Sequence, residues 1–289
     1  MTTSLEGVSV AQVRVPGGGL SHQARAAAVV WQREMIRFSR DRARMLSSLA
    51  QPLLFLFVLG TGLSSLVAAR SGSVDFRTFL FPGVLATSVL FTAVFSGVSM
   101  VWDREFGFLR EMLVAPVSTT AILLGKAVGG ATVATLQSLV VLLLAGLVGV
   151  PYDPLLLLEL VVLLFVMAFL VTSMGLVLAS RVKQVQAAMP LVQLIITPLM
   201  FLSGALFPLG GLPGWLSVLV RLNPMTYAVE PLRSAVFDRL DVTPQARAAL
   251  DPGLHWGSWA VPVPVQVGLV ALVSAALLGL AVALFARTD

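Results

Sequence analysis

Six long stretches of the chain contain neither a charged residue nor a histidine. They cover residues 47–69, 78–101, 127–150, 160–180, 184–220 and 256–286. A helix needs about 20 apolar residues to cross the roughly 30 Å hydrocarbon core of a bilayer, and each charged residue at its centre would cost about 2.5–3.5 kcal/mol. Pro208 should end the fifth helix near residue 207, and Pro262 should mark the start of the last one. The pattern therefore predicts six membrane-spanning helices.

The composition excludes a soluble enzyme and a disordered chain. Only 11% of the 289 residues are charged, 57% are hydrophobic and the mean hydropathy is +0.94, whereas soluble domains carry roughly 25% charged residues. Because the chain has no cysteine and only two distant histidines, His22 and His255, disulfides and cysteine metal sites are impossible. We predict no metal site and no cofactor on this chain. The net charge of +5 is interpreted by its placement at the membrane, with no nucleic-acid partner.

The distribution of basic residues predicts the orientation. With the N-terminus in the cytoplasm, 13 of the 19 Lys and Arg residues lie in inside segments, including Lys126 and Lys183, and 6 lie outside. The positive-inside rule then places both termini in the cytoplasm. The first 46 residues are polar and rich in arginine, so no cleaved signal peptide is predicted. We expect a multi-pass protein of the plasma membrane.

Residues 24–46 are predicted to form an amphipathic interface helix, which follows a flexible cytoplasmic segment over residues 1–23. Four arginines recur at helical spacing and so share one face, while Trp31 and other apolar residues lie roughly opposite. These arginines are Arg33, Arg37, Arg40 and Arg44. Such a helix is suited to the headgroup region of a membrane. It could be a simple anchor, or it could contact a cytoplasmic partner and transmit its movement.

The segment after the second span predicts a short amphipathic helix on the cytoplasmic side. Phe106, Leu109 and Leu113 form its apolar face. Pro116 should stop this helix, and Ser118 can cap the next one. The segment could be an ordinary loop. Alternatively, it could dock into a groove on a cytoplasmic protein, with Phe106 and Leu113 as anchors.

The longest predicted external segment, about 208–258, contains two short apolar helices. Trp215 and Leu219 belong to the apolar face of the first, and Asn223-Pro224 is a turn signal before the second. Each helix is too short to span the membrane, yet too apolar for free solution. We therefore predict two re-entrant helices that dip into the outer leaflet with their backbone buried against protein.

These last two segments resemble the motifs of ABC-2 type transporter permeases. The first motif reads Glu105-Phe-Gly-Phe-Leu-Arg-Glu-Met-Leu-Val-Ala-Pro-Val-Ser118, followed by Ile122-Leu-Leu-Gly-Lys126. The second combines Ser203-Gly-Ala-Leu-Phe-Pro208, Leu212-Pro-Gly-Trp-Leu216 and Asn223-Pro-Met-Thr-Tyr-Ala-Val-Glu-Pro-Leu-Arg233. With the span order and cytoplasmic termini, the resemblance covers about 24–288. Within the family, the chain looks like the drug- and antibiotic-exporting branch.

The resemblance implies an all-α polytopic membrane protein whose six-span domain covers 47–289. The helix at about 103–116 would be the coupling helix, seated in a cleft of an ATPase subunit. Its residues would be Asp103, Glu105, Phe106, Gly107, Leu109, Glu111, Leu113 and Pro116. The re-entrant helices would close the external gate, formed by Phe207, Pro208, Asn223, Pro224, Tyr227 and Arg233.

The same resemblance implies that the chain is not an enzyme and that ATP is hydrolysed elsewhere. The sequence has no Gly-x-x-x-x-Gly-Lys-[Ser/Thr] phosphate loop, so ATP and Mg²⁺ would bind partner subunits. The expected partners are two cytoplasmic ABC ATPase subunits, a second copy or a homologous permease, and membrane lipids. The cargo would be a hydrophobic or amphipathic drug, antibiotic or lipid-like molecule, with a lipid-linked glycan as an alternative.

An ion-coupled secondary transporter is the rival interpretation. Such proteins usually need an ionisable residue or a broken helix at membrane depth, and the predicted spans contain no ionisable residue. Polar side chains within the spans, among them Gln51, Thr92 and Gln137, are interpreted as interhelical hydrogen bonds or as part of a substrate route. Gly125 and Gly129 form a small-x-x-x-small pair that predicts close helix packing.

Overall fold

The computed structural model describes residues 19–64, 75–107 and 117–287. Ten helices lie within these ranges: α1 Leu20–Arg40, α2 Arg42–Leu54, α3 Phe76–Glu105, α4 Thr119–Leu142, α5 Pro154–Arg181, α6 Val185–Phe201, α7 Gly214–Leu222, α8 Thr226–Phe237, α9 Pro244–Leu250 and α10 Val263–Phe285. A 3₁₀ turn covers Ala145–Val148. Two short strands, β1 His255–Trp256 and β2 Trp259–Ala260, pair antiparallel with His255 opposite Ala260. The prediction of an essentially all-α protein is confirmed.

Five helices of the described ranges are long and apolar enough to cross a membrane. They are Met45–Ser64, Phe76–Glu105, Thr119–Leu142, Pro154–Arg181 and Val263–Phe285. The predicted fifth span is a shorter apolar helix of 17 residues, α6. It ends at Phe201, before Pro208, because Gly204 adopts a positive φ of 74° that turns the chain away. The count of six spans therefore stays a prediction.

The predicted interface helix is divided in two. α1 ends at Arg40, Asp41 has the non-helical angles φ −97° and ψ 65°, and α2 begins at Arg42. The first spanning helix, Met45–Ser64, consists of most of α2, the π-helical segment Phe55–Leu59 and the turns that follow it. The helical spacing of the arginines continues from Arg40 to Arg44, so the sequence pattern did not indicate the break at Asp41.

The central helix of the bundle is α3. In its most apolar window 89% of the residues are buried, against 17% in Met45–Ser64 and 17% in Val263–Phe285. α3 packs against α2, α4, α5, α6 and α8. It crosses α5 closely, because a Cβ on Gly97 would lie 2.8 Å from the Cα of Gly175. Because so few of their residues are buried, the first spanning helix and α10 form the exposed apolar edges of the bundle.

The predicted external segment forms more elements than expected. It contains the two predicted helices as α7 and α8, and it adds α9 and the β1–β2 hairpin. α8 is buried along nearly its whole length and packs against α3, α5 and α10. Its backbone is thus covered by protein, although its depth in a membrane stays a prediction.

Candidate functional site

Five charged side chains meet where α1, α3 and α4 converge, at the predicted cytoplasmic end. The Nζ of Lys126 donates to Glu34 Oε1 at 2.9 Å and also contacts Asp103 Oδ2. Arg33 donates to the same Asp103 oxygen at 2.8 Å, and Arg37 lies 3.9 Å from Asp103 Oδ1. Three basic side chains thus share two carboxylates. We call these five residues the polar junction.

The polar junction holds α1 in place because its central groups are buried. Lys126 is 1% exposed, Glu34 is 4% exposed and Asp103 is 5% exposed. Breaking a buried ion pair by removing one partner typically costs about 3–5 kcal/mol, since the other charge stays buried without compensation. α1 is therefore fixed to α3 and α4.

Glycines on α4 allow α1 to approach closely. A Cβ on Gly125 would lie 2.5 Å from the carbonyl oxygen of Ala27, and a Cβ on Gly129 would lie 3.0 Å from the Cβ of Glu34. The predicted close packing at this glycine pair is confirmed, and α1 is the helix that packs there. At the start of α4, Ser118 accepts a hydrogen bond from Ala121 N, as a helix cap does, and its hydroxyl donates to Gln23 of α1 at 2.7 Å.

Three consecutive residues at the end of α3 contact three different neighbours. Asp103 enters the polar junction. Arg104 Nη1 donates to the carbonyl oxygen of Val182 at 3.4 Å, just after α5, and its guanidinium lies over an aromatic ring of α10. Glu105 Oε2 accepts a hydrogen bond from Val185 N at 2.8 Å, at the start of α6. A displacement of this turn would therefore reach α1 and α4 through Asp103, α5 and α10 through Arg104, and α6 through Glu105.

The structure describes only part of the predicted coupling helix. Asp103 and Glu105 belong to the last turn of α3, which corrects the prediction that a separate helix begins at residue 103. Phe106 is 70% exposed, and Gly107 ends the helix with a positive φ of 84°. Leu109, Glu111, Leu113 and Pro116 lie outside the described residues. A coupling helix over 108–116 stays a prediction.

The predicted interface residues divide into two groups. Arg33 and Arg37 bind Asp103 of α3, and the choice between a simple anchor and a contact with a cytoplasmic partner stays open. Trp31 donates through Nε1 to Thr132 of α4 at 3.2 Å. Arg40 is exposed, and the Arg44 side chain lies outside the description.

Sequence reasoning missed Glu34 and misplaced Lys126. Lys126 was assigned to a cytoplasmic loop because charges were used to end spans, but α4 begins earlier, at Thr119. Three of the candidate spanning helices contain ionisable residues, which corrects the premise that none does: α3 contains Asp103, α4 contains Lys126 and α5 contains Glu159. The available signal was the isolation of Lys126 within an otherwise apolar run, since such a charge needs a buried partner.

A second buried charge cluster lies at the opposite end of the bundle. Arg233 is fully buried, donates to the carbonyl oxygen of Gly204 and lies 4.6 Å from the ring centroid of Phe79. Glu230 Oε2 lies 3.9 Å from Arg233 Nη1. Burial raises the pKa of Glu230 to about 7, Arg233 opposes this shift, and Asp251 raises it further by its charge and a hydrogen bond. Sequence reasoning missed both acidic residues.

One predicted gate residue, Asn223, connects the predicted external helices to the end of α6. Asn223 donates through Nδ2 to the carbonyl oxygen of Leu199 at 2.9 Å. The Tyr227 hydroxyl donates to the carbonyl oxygen of Arg221 at 2.8 Å and accepts from Trp256 Nε1 at 2.9 Å. Asn223 and Tyr227 are buried, like Arg233, whereas the remaining three are half-buried: Phe207, Pro208 and Pro224. Their role as a gate stays a prediction.

Comparisons with known proteins identify the family of the chain. The family model for the ABC-2 type transporter matches residues 25–237, which run from α1 to the end of α8. Nodulation protein J of Rhizobium leguminosarum bv. trifolii is 32% identical over 223 residues, which are 76% of this chain and 82% of that protein. A relative from Cyanophora paradoxa with the name transport permease ycf38 is 29% identical over 211 residues, 71% of this chain and 72% of its own length. The matched region contains the whole polar junction. Because the family model covers most of the chain, the chain belongs to the ABC-2 type transporter family of membrane permeases.

Proposed function

We propose that this chain is the membrane subunit of an ATP-driven exporter whose ATP is hydrolysed on separate ABC ATPase subunits. Membership of the family supports a permease that works with an ABC ATPase in general. The observation that carries the proposal is the set of contacts made by residues 103–105. A force on the following segment would reach α1 and α4 through Asp103, the end of α5 through Arg104 and α6 through Glu105.

The proposed assembly contains two permeases and two ATPase subunits in the plasma membrane, with the termini of this chain in the cytoplasm. ATP and Mg²⁺ would bind the ATPase subunits. The exposed apolar edges of the bundle, Met45–Ser64 and Val263–Phe285, support a neighbour within the membrane. That neighbour would be a second copy of this chain or a homologous permease, surrounded by lipid.

The proposed cargo is a hydrophobic or amphipathic molecule that leaves the cytoplasm or the inner leaflet. A drug or an antibiotic fits this description, so the complex would act in efflux and resistance. A lipid-like molecule or a lipid-linked glycan is the alternative. The scarcity of charged side chains on α3 and α4, apart from those in the polar junction, supports an uncharged route.

Purification of the full chain from its native membranes in mild detergent tests this proposal. We expect an ABC ATPase to copurify, to be identified by mass spectrometry, and to hydrolyse ATP in the reconstituted complex. Transport into vesicles should then require ATP and should persist when ion gradients are collapsed. Copurification without an ATPase, together with gradient-driven uptake, would refute the proposal.

One observation favours ion coupling as the second candidate. Lys126 and Asp103 lie inside spanning helices, and ionisable groups in that position mark ion pathways in secondary transporters. The position of the polar junction near the helix ends, with α1 as part of it, favours a structural ion cluster instead. The same vesicle experiment separates the two candidates.

A further inference from the structure

A cavity of about 510 Å³ lies between α1 and α2 on one side and α3 and α4 on the other. Along α3 its lining runs from Phe91 to Trp102, which corresponds to about 16 Å at 1.5 Å per residue. This length is close to one leaflet, or half of the roughly 30 Å hydrocarbon core. Cavities of about 300–1,000 Å³ are typical of sites for drug-sized ligands. The cavity can therefore hold one such molecule at the depth of the predicted inner leaflet.

The polarity of the lining changes along the cavity. Charged lining residues of the described chain are confined to one end, where Glu34 and Arg37 belong to the polar junction and Asp41 follows them at the end of α1. The Arg37 side chain is 43% exposed and its ion pair with Asp103 is long, at 3.9 Å. Deeper along α3, Phe91 and Phe95 form an aromatic surface. A ligand that fits this gradient has a charged head group and an uncharged body.

The uncharged part of the lining also carries many hydrogen-bonding groups. Serine, threonine and glutamine side chains contribute to it from α2, α3 and α4. Some of these groups are satisfied within the chain, since the hydroxyls of Ser48 and Ser99 donate to backbone carbonyl oxygens at 3.0 and 2.6 Å. Burying a polar group without a hydrogen bond is costly, so the groups that lack a partner favour a ligand body with hydroxyl or amide groups.

Two atoms in this lining lack a hydrogen-bond partner among the described residues. They are the Oγ1 of Thr92 and the Oε1 of Gln137, and both are buried. The amide nitrogen of Gln137 is engaged, since it donates to the carbonyl oxygen of Met45 at 2.9 Å. An unsatisfied buried acceptor costs about 1–3 kcal/mol. A ligand that donates hydrogen bonds would remove this cost once either side chain rotates its oxygen towards the cavity, and an acyl chain would not.

We propose that this cavity binds a ring-bearing amphiphile with hydroxyl or amide groups on an uncharged body and a charged head group. The rings would pack on Phe91 and Phe95, the donors would reach Thr92 and Gln137, and the head group would lie at Arg37 and Asp41. The ligand would reach the site from the inner leaflet. This inference rests on the proposed function in one respect, since the ligand would be the exported cargo.

Site-directed thiol labelling tests the site directly, because the native chain has no cysteine. Ser48→Cys places a single thiol in the cavity lining on half-buried α2, and Ser217→Cys places one on half-buried α7, outside the lining. The full chain in phosphatidylcholine nanodiscs is labelled with fluorescein maleimide, with tetracycline as the probe. Tetracycline is a four-ring zwitterion that carries hydroxyl and amide groups. We expect saturating tetracycline to slow labelling at Ser48→Cys about tenfold and to leave Ser217→Cys unchanged.

A second pair of variants tests the hydrogen bonds. Thr92→Val removes an unpartnered hydroxyl at nearly constant shape, and Thr172→Val removes another unpartnered buried hydroxyl, on α5, that does not line the cavity. We expect Thr92→Val to weaken tetracycline protection of Ser48→Cys about three- to tenfold, as the loss of one hydrogen bond predicts. Thr172→Val should leave it unchanged, and equal effects of the two variants would contradict the proposed contact.

Phosphatidylglycerol added to the nanodiscs gives the competing outcome. Protection by this lipid without protection by tetracycline would show a lipid site and overturn the proposed ligand class. Protection by neither would overturn the site itself. The assay contains no ATPase and no nucleotide, so ATP-driven export by the complex can fail or succeed independently of these results.

Discussion

Lys126 is the side chain on which the polar junction depends most. Its ammonium group contacts both buried carboxylates, and it is itself 1% exposed. We expect Lys126→Met to lower the free energy of unfolding by about 3–5 kcal/mol, because Glu34 would stay buried without its closest cation. Reversible unfolding in detergent, followed by circular dichroism, measures the change.

The only other lysine provides the matched control. Lys183 is exposed between α5 and α6, and an exposed substitution usually changes stability by less than about 0.5 kcal/mol. Lys183→Met should therefore behave like the unsubstituted protein. Similar stabilities of the two variants would show that the junction contributes little to the fold.

Glu230 should make the opposite end of the bundle sensitive to pH. Its pKa is raised from 4.5 to about 7 in the folded chain, chiefly by burial. Because the folded protein binds this proton more tightly than the unfolded chain does, stability rises as pH falls from 7 towards 4.5. The slope is at most about 1.4 kcal/mol per pH unit for one group. Burial also raises the pKa of Asp251, which acts in the same direction.

Replacement of Glu230 tests this linkage. We expect the gain in stability between pH 8 and pH 6 to shrink in Glu230→Gln, whereas Glu159→Gln, which changes an exposed carboxylate, should keep it. Unfolding midpoints in denaturant at the two pH values give the comparison. An undiminished pH dependence in Glu230→Gln would contradict the assignment.

Lys126 and Glu230 also show the limit of prediction from one sequence. Asp103 and Glu105 were identified because the resemblance to a known family implies a coupling role for them. Lys126 and Glu230 also stand in the quoted motifs but were not singled out, and Glu34 stands in neither motif. Their contacts form only in the folded chain, where Lys126 meets Glu34 of another helix and Glu230 meets Asp251. Spacing and composition cannot reveal a pair that is formed only when separate helices meet.

At the scale of helices, the crossing of α3 and α5 depends on glycine. A Cβ on Gly97 would lie 2.5 Å from the carbonyl oxygen of Thr172 and 2.8 Å from the Cα of Gly175. We expect Gly97→Ala to lower the free energy of unfolding by about 1–3 kcal/mol, as overpacking does. This would happen although alanine favours a helix by about 1 kcal/mol over glycine.

Gly279 of α10 gives the control for this effect. A Cβ there would meet no atom within 4 Å, so Gly279→Ala should be neutral or slightly stabilising. Thermal unfolding of both variants in the same detergent makes the comparison. A loss of stability in both, or in neither, would show that the close crossing is not what matters.

Hydropathy predicted the helices well and their ends poorly, for identifiable reasons. α3 and α5 match the predicted spans because long apolar runs must be buried in lipid or protein. α4 begins earlier than predicted because Lys126 is neutralised within the helix. α6 ends earlier because Gly204 turns the chain, and a charge-free stretch carries no information about such a turn.

For the whole molecule, Glu105 provides the test of coupling. In the proposed complex, Glu105→Arg should leave membrane insertion intact and reduce cargo-stimulated ATP hydrolysis about tenfold, because a coupling free energy of 1–3 kcal/mol corresponds to roughly 5- to 150-fold. The variant removes the acceptor for Val185 N at the start of α6. ATP hydrolysis and transport are measured together in proteoliposomes.

The control for coupling lies at the other end of the molecule. Glu159 is exposed near the start of α5, so Glu159→Arg reverses a charge without touching the contacts of residues 103–105. It should retain stimulated hydrolysis. If Glu105→Arg also retained cargo-stimulated ATP hydrolysis, Glu105 would have no role in coupling hydrolysis to the end of α3.

The three neighbouring contacts of residues 103, 104 and 105 restrict how α3 can move. Successive residues of a helix are about 100° apart around its axis, so these side chains reach separate partners in separate directions. A twist by a single residue would detach all three at once. Rotation of α3 about its own axis would therefore break these contacts, whereas a tilt of α3 together with its neighbouring helices would keep them.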